Sequence, residues 1–170
     1  MKKFLFMLVA MFAMSTAAFA QKGVTAFGVQ GAYDDLFGQF GLGVKVQQGF
    51  ADQFRAEVGG DFFFKKNGVS MFDVNANFHF VVPVVADKFN VYPLAGANIS
   101  FGSLDDDIVT VAAIGGVDLS KSKTRIGLNL GGGVEYFVTD NVKIVGEAKY
   151  IISDNGWSRF GANVGVAFLF

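Results

Sequence analysis

The stretch "FGANVGVAFLF", residues 160–170, places an apolar residue at every second position: Phe160, Ala162, Val164, Val166, Phe168 and Phe170. Small or polar residues, among them Gly161, Asn163 and Gly165, fall between them. A period of two is the mark of a strand with one apolar face, and helical spacing does not fit it. The same test along the chain gives alternation nearly everywhere after residue 20, and it predicts eight strands at 23–33, 38–48, 53–64, 71–82, 89–101, 123–136, 142–152 and 158–170. These lengths are near the roughly 9–11 residues that a tilted strand needs to cross a bilayer.

The first twenty residues stand apart. "MKKFLFMLVAMFAMSTAAFA" has Lys2 and Lys3, an apolar run from Phe4 to Met14, and Ala18-Phe19-Ala20 at its close, the pattern of a cleaved secretory signal peptide. The expected division is therefore a leader, 1–20, and one barrel domain, 21–170. Losing the leader leaves 12 basic against 15 acidic residues, a formal charge of −3, which makes nucleic acid an unnatural partner. The chain has no cysteine, so neither a disulfide framework nor a thiolate metal site is open to it.

The two faces of the strands differ in chemistry. One carries Phe40, Leu42, Val44 and Val46, then Phe54, Val58, Phe62 and Phe64, then Phe72, Val74, Phe78 and Phe80, then Ile126, Leu128, Leu130, Val134 and Tyr136, with no charge among them. The other carries Lys45, Arg55, Glu57, Asp61, Asp73, Arg125, Glu135, Lys143, Glu147, Lys149 and Arg159, along with Asn75, Asn77, His79, Asn129 and Asn163. A soluble lipocalin-like barrel would alternate too, with the apolar set inside. Bulky Phe on one face and Gly, Asn and charges of both signs on the other suit a membrane barrel with a narrow filled lumen. Aromatics near strand ends (Tyr33, Phe37, Phe50, Phe54, Phe64, Phe72, Phe89, Phe101, Phe137, Trp157) read as interfacial girdles. Strands one and five alternate less cleanly, and Pro93 predicts an irregularity in the fifth because it removes a ladder hydrogen bond.

The connections repeat. "FADQF" (50–54), "VADKF" (85–89) and "VTDNV" (138–142) share one pattern, in which Asp52, Asp87 and Asp140 occupy a single turn position where an Asp can bond its own backbone. Three short turns at one end leave four loops at the other, at Asp34-Asp35-Leu36, 65–70, about 102–122 and 153–157. Both ends of the barrel domain then lie on the short-turn side, expected to be periplasmic. The apolar segment 107–117 is assigned to the third outer loop, since one more crossing would put Phe170 outside.

The leader, the eight amphipathic strands, "GGGVEYF" (131–137), "VKIVGEAKY" (142–150) and the terminal Phe together resemble the small outer-membrane β-barrels, the opacity-like and outer membrane protein A-like group that is often called the porin family. The resemblance covers residues 21–170. It implies an all-β, eight-stranded, antiparallel, up-and-down transmembrane barrel in the outer membrane of a Gram-negative-type cell. It also implies that the last strand, with Phe160, Val164, Val166, Phe168 and Phe170, is the signal read by the outer-membrane assembly machinery after delivery by periplasmic chaperones.

Lumenal charges of both signs predict a salt-bridged plug, with Glu135 and Lys143 as cross-strand partners, because eight strands leave only enough bore for side chains to fill. His79, the single histidine, faces the lumen near the inner end of strand four and has no Ser or Asp partner for hydrolytic work. "AIGGVDLSKSK" fails as a phosphate loop, with Lys121 where Gly should stand. Gly131, Gly133, Gly161 and Gly165 make room for long lumenal side chains. Asp105, Asp106 and Asp107 have oxygens suited to a divalent cation or the cation layer of lipopolysaccharide, but three adjacent Asp do not match the spaced ligands of a calcium loop. The expected role is non-enzymatic, without cofactor or metal. It is structural in the cell envelope, in contact with outer-membrane lipid and lipopolysaccharide, with adhesion to an extracellular partner through residues 102–122. A narrow channel for ions or small solutes is the alternative.

Overall fold

The computed structural model describes residues 22–86, 88–104, 122–154 and 156–170. The leader, Asp87 and most of the third outer loop, including Asp105, Asp106, Asp107 and the segment 107–117, lie outside the described residues. The strands are β1 (Thr25–Asp34), β2 (Gln39–Gly49), β3 (Phe54–Lys66), β4 (Val69–Phe80), β5 (Val82–Val85), β6 (Phe89–Leu104), β7 (Ser122–Thr139), β8 (Val142–Ser153) and β9 (Arg159–Leu169). Consecutive strands pair antiparallel except β4 and β5, which both pair with β6, and β1 pairs with β9. The sheet therefore closes on itself, with β4 and β5 forming one stave of eight. Closure pairs the other strands on both edges, as a lipid-embedded sheet requires, while β5, which runs on past the start of β3, pairs with β6 alone.

Stave four breaks at Val81, and the position is set by Pro93. In the register shared by His79↔Leu94 and Val82↔Val91, Pro93 stands opposite Phe80 and Tyr92 opposite Val81. The missing proline N–H interrupts that ladder, while Pro93 stays in register with Gly132 on the other side. The expected irregularity thus appears in the neighbouring stave rather than in β6 itself. Register shifts occur at Phe63/Lys66, Pro83/Val85 and Phe137/Thr139.

Several strands run longer than expected. The predicted loop at 65–70 is a two-residue turn, Asn67-Gly68, with φ of 52° and 75°. Positive φ at both central residues matches the right-handed twist of a hairpin, and Asn-Gly is the pair that tolerates it. At the short turns the Asp52 and Asp140 side chains are exposed, and neither has a side-chain hydrogen bond among the described residues. Backbone closes the first instead: Phe54 N–H donates to Ala51 O (3.2 Å) and Phe50 N–H to Phe54 O (3.2 Å).

The outer surface is the apolar face. Phe40, Leu42, Val44, Val58, Phe78, Ile126, Leu128 and Val164 are each at least half exposed. Aromatics directly opposite one another pair across strands, Phe54 with Phe80 (centroids 5.2 Å) and Phe72 with Phe101 (6.4 Å). Such pairs add to sheet stability beyond simple area. Trp157 departs from the expected girdle. It turns inward, against the Ala32, Phe63 and Met71 cluster, and Phe37 meets it edge-on at 6.1 Å. A second apolar cluster, Ala26, Val81, Tyr92, Leu94, Val145 and Ala167, lies toward the short-turn end. The polar lumen is bounded at both ends by these clusters.

Candidate functional site: the lumenal charge network

Strand alternation turns one residue in two inward, so charges distant in sequence meet in the bore. Nearest the short turns, Glu135 on β7 is fully buried and held by three donors. Arg55 Nη1 on β3 donates to Glu135 Oε2 (2.9 Å), Lys143 Nζ on β8 donates to the same oxygen (2.8 Å), and Asn90 Nδ2 donates to Oε1 (2.9 Å). The Arg55 guanidinium also lies over the Tyr92 ring, 4.9 Å from its centroid.

One level further in, Lys45 Nζ donates to Glu147 Oε2 and lies 3.2 Å from Glu57 Oε2. Gln47 Nε2 and Asn77 Nδ2 complete Glu57 at 2.8 and 3.1 Å. His79 stacks on Tyr92 (centroids 4.6 Å, interplanar angle 17°), and its Nδ1 accepts from Arg55 Nη2 (3.1 Å) and Nε (3.3 Å). Gly133 permits the stack, because a Cβ there would come within 2.5 Å of Tyr92 Cζ and Oη. Gly131 likewise lies against Lys149, where a Cβ would come within 2.6 Å of its Cα.

The middle of the bore is amide-rich. Asp61 accepts from Gln30 Nε2 (2.6 Å) and Asn75 Nδ2 (3.2 Å), and Asn129 Nδ2 donates to the Oδ1 atoms of Asn75 and Asn77. Toward the long loops, Arg159 on β9 is 2 % exposed and ties three strands together. Its Nε donates to Asp34 Oδ2, and its Nη2 donates to Asp73 Oδ2 (2.6 Å) and Ser100 Oγ (2.8 Å).

Of the eleven charged residues expected in the lumen, eight form ion pairs in the three groups Lys45–Glu57–Glu147, Arg55–Glu135–Lys143 and Asp73–Arg159. Asp61 is satisfied by amides, and Lys149 is buried with no ion-pair partner among the described residues. Arg125 is half-buried at the rim, over Trp157 at 5.8 Å. Asp34 corrects the expected first loop: it is the last residue of β1, buried and paired with Arg159. Gln30, Gln47, Asn90, Tyr92, Asn98 and Ser100 also belong to the lumen. The signal for Asp34 was the step of two from Gln30 through Ala32, obscured because "DD" before Leu36 resembles a turn.

In the last strand, Phe160, Val164, Phe168 and Phe170 face outward and Val166 is half-buried. Phe170 N–H donates to Thr25 O (2.8 Å) and Thr25 N–H to Phe170 O (3.3 Å), so the seam between β1 and β9 is paired to its end.

Glu57, His79 and Glu147 each offer a ligand atom within 4.8 Å of the others. The donor set nevertheless does not suit a metal. Arg55, always a donor, directs two N–H groups at His79 Nδ1, so the imidazole proton resides on Nε2 and that nitrogen has no lone pair to give. Lys45 already supplies a cation to both carboxylates.

The outer membrane protein beta-barrel domain family matches residues 4–168 of the chain. No curated protein matches it. Among solved structures, the N-terminal β-barrel domain of Pseudomonas aeruginosa OprF is similar at 15% identity and TM-score 0.65, over 88% of this chain and 98% of that one. Neisserial surface protein A is similar at 21% identity and TM-score 0.61, over 86% and 96%. Ail, the attachment invasion locus protein of Yersinia pestis, is similar at 15% identity and TM-score 0.59, over 88% and 99%.

Proposed function

Because the chain belongs to the outer membrane protein beta-barrel domain family and is an integral barrel of the outer membrane, we propose that it is a non-conducting, non-enzymatic wall protein of the cell envelope. One observation carries this reading. Two levels of interlocked ion pairs, Arg55–Glu135–Lys143 and Asp34–Arg159–Asp73, join opposite sides of the bore. Eight strands give an interior that side chains can fill, and here charged side chains joined by ion pairs and amide hydrogen bonds occupy it. The same sealing keeps His79 and the carboxylates from any substrate, which supports a role without catalysis.

Residues 1–20 serve as the export leader, and the outward row Phe160, Val164, Val166, Phe168 and Phe170 serves as the contact for chaperones and the assembly machinery. The long loops then face the cell exterior, where residues 102–122 are the contact for lipopolysaccharide or an extracellular partner.

Planar-bilayer recording tests the closed lumen. The wild-type barrel is expected to give no discrete conductance, whereas Glu135→Ala, which frees Arg55 and Lys143 together, is expected to conduct or to lose stability. If Glu135→Ala changes neither folding nor conductance, the plug is not what closes the bore. Deleting 105–118 tests the surface role, through cell attachment measured on barrels that still show heat-dependent gel mobility. A narrow channel is the second reading, favoured by Lys149, a buried side chain with no ion-pair partner among the described residues, which suits a hydrated bore. Steps of conductance in the wild type would select it.

A further inference from the structure

We propose that His79 is a positioning residue of the lumenal seal, clamping one water molecule between Glu57 and Glu147. This rests on the closed-lumen reading and names what holds its middle level together. His79 is 1 % exposed, and its Nε2 has no hydrogen-bond partner among the described residues. That nitrogen points between two carboxylate oxygens, 3.9 Å from Glu57 Oε1 and 3.9 Å from Glu147 Oε1. Both gaps exceed a direct hydrogen bond, yet the ligand atoms of the three residues lie within 4.8 Å of one another, close enough for one oxygen at about 2.8 Å from each to bridge them.

The tautomer decides what the guest is. Arg55 on β3 donates to Nδ1, so Nε2 carries a hydrogen and must meet an acceptor. The two carboxylate oxygens on the far side are acceptors only and each has a lone pair for a donor, Glu57 Oε1 beside the bond it takes from Asn77. A water accepts one hydrogen bond and donates two, which matches this set, and internal waters typically make about three such bonds. A metal ion would need a lone pair at Nε2.

Every charged or titratable group around His79 fits the same arrangement. Arg55 and Glu57 approach from β3, Tyr92 stacks from β6, Glu147 and Lys143 come from β8, Lys45 from β2 and Glu135 from β7. Lys45 uses the Oε2 atoms of both glutamates; Glu147 Oε1 faces the water, and Glu57 Oε1, which accepts from Asn77 Nδ2 (3.1 Å), keeps a second lone pair for it. His79 therefore links the Arg55–Glu135 level to the Lys45–Glu57–Glu147 level. Without it the two glutamates are joined by Lys45 alone.

The test combines spectroscopy with conductance on the refolded full barrel in nanodiscs or bilayers. Long-range nitrogen–proton spectra of histidine-labelled protein should show hydrogen on Nε2 and none on Nδ1, with cross-relaxation from the Nε2 proton to a bound water. Added zinc chloride should leave them unchanged. His79→Gln keeps an acceptor for Arg55 and a donor for the water, and it should remain as silent as wild type. His79→Phe keeps the ring on Tyr92 but neither bond, and it should give discrete conductance steps while retaining heat-dependent gel mobility.

A hydrogen on Nδ1, a zinc-induced shift, no water contact, or a His79→Phe barrel as silent as wild type would each overturn the proposal. If His79→Phe fails to assemble, the wild-type spectra alone decide. If the wild type itself conducts, the closed-lumen reading fails, while the spectra still judge the clamp.

Discussion

Replacing Arg159 with Met should be among the most damaging single changes available in the barrel. The side chain is buried, and it donates to Asp34, to Asp73 at 2.6 Å and to Ser100 at 2.8 Å. Methionine fills much of the same volume, so packing loss is secondary. What remains is two buried carboxylates that have lost their shared cation. Hydrogen bonds to charged groups contribute roughly 1.5–3 kcal/mol each, and removing one partner of a buried ion pair costs about 3–5 kcal/mol. Two such bonds lost together place the expected destabilisation at the upper half of that range. Urea unfolding of the vesicle-inserted barrel measures it, followed through Trp157, the single tryptophan, whose carbonyl also accepts from Arg159 Nη1 (3.3 Å). The combined variant Asp34→Asn, Asp73→Asn, Arg159→Met should recover most of the loss, because it leaves no unpaired charge. A loss under about 1 kcal/mol for the single change, or no recovery in the combined one, would show that this triad does not hold the barrel, against the range expected for a buried pair.

Two further substitutions probe the other faces of the same design. Val44→Arg places a charge on the lipid-facing surface at the centre of β2, where the side chain is half exposed; a loss of about 2–4 kcal/mol is expected there, falling toward zero for the same change at a strand end. Equal costs at both depths would mean that this face does not meet lipid. Gly133→Ala drives a methyl into the Tyr92 ring and should cost about 1–3 kcal/mol. Pairing it with Tyr92→Phe should return little of that, since the Cζ atom is as close as the hydroxyl, and a full recovery would shift the clash onto the hydroxyl alone.

The alternation at 160–170 and its counterparts made the class of fold legible, because a period of two with Phe on one side and Lys, Arg, Asp and Glu on the other has few stable solutions. The same pattern put eleven charged side chains on one face and predicted the contact of Lys143 with Glu135, now seen at 2.8 Å. It fell short where local chemistry imitated something else. Asp34 stood beside Asp35 and read as a turn, and Asn67-Gly68 was absorbed into a longer loop although it closes a tight hairpin. Trp157 read as a girdle residue from its place near a strand end, but packing at the mouth of the bore turned it inward.

Sequence by itself thus determined which residues face outward and that the remaining charges must share one narrow interior, since side-chain direction in a strand depends only on parity. It could not determine which charge meets which. Arg55 reaches Glu135 across 80 residues and Arg159 reaches Asp34 across 125, and no local rule links such positions. Those pairings are fixed by closure of the sheet through β1 with β9 and β4 with β6, which sets the height of every residue in the bore and leaves each cation only the carboxylates at its own level.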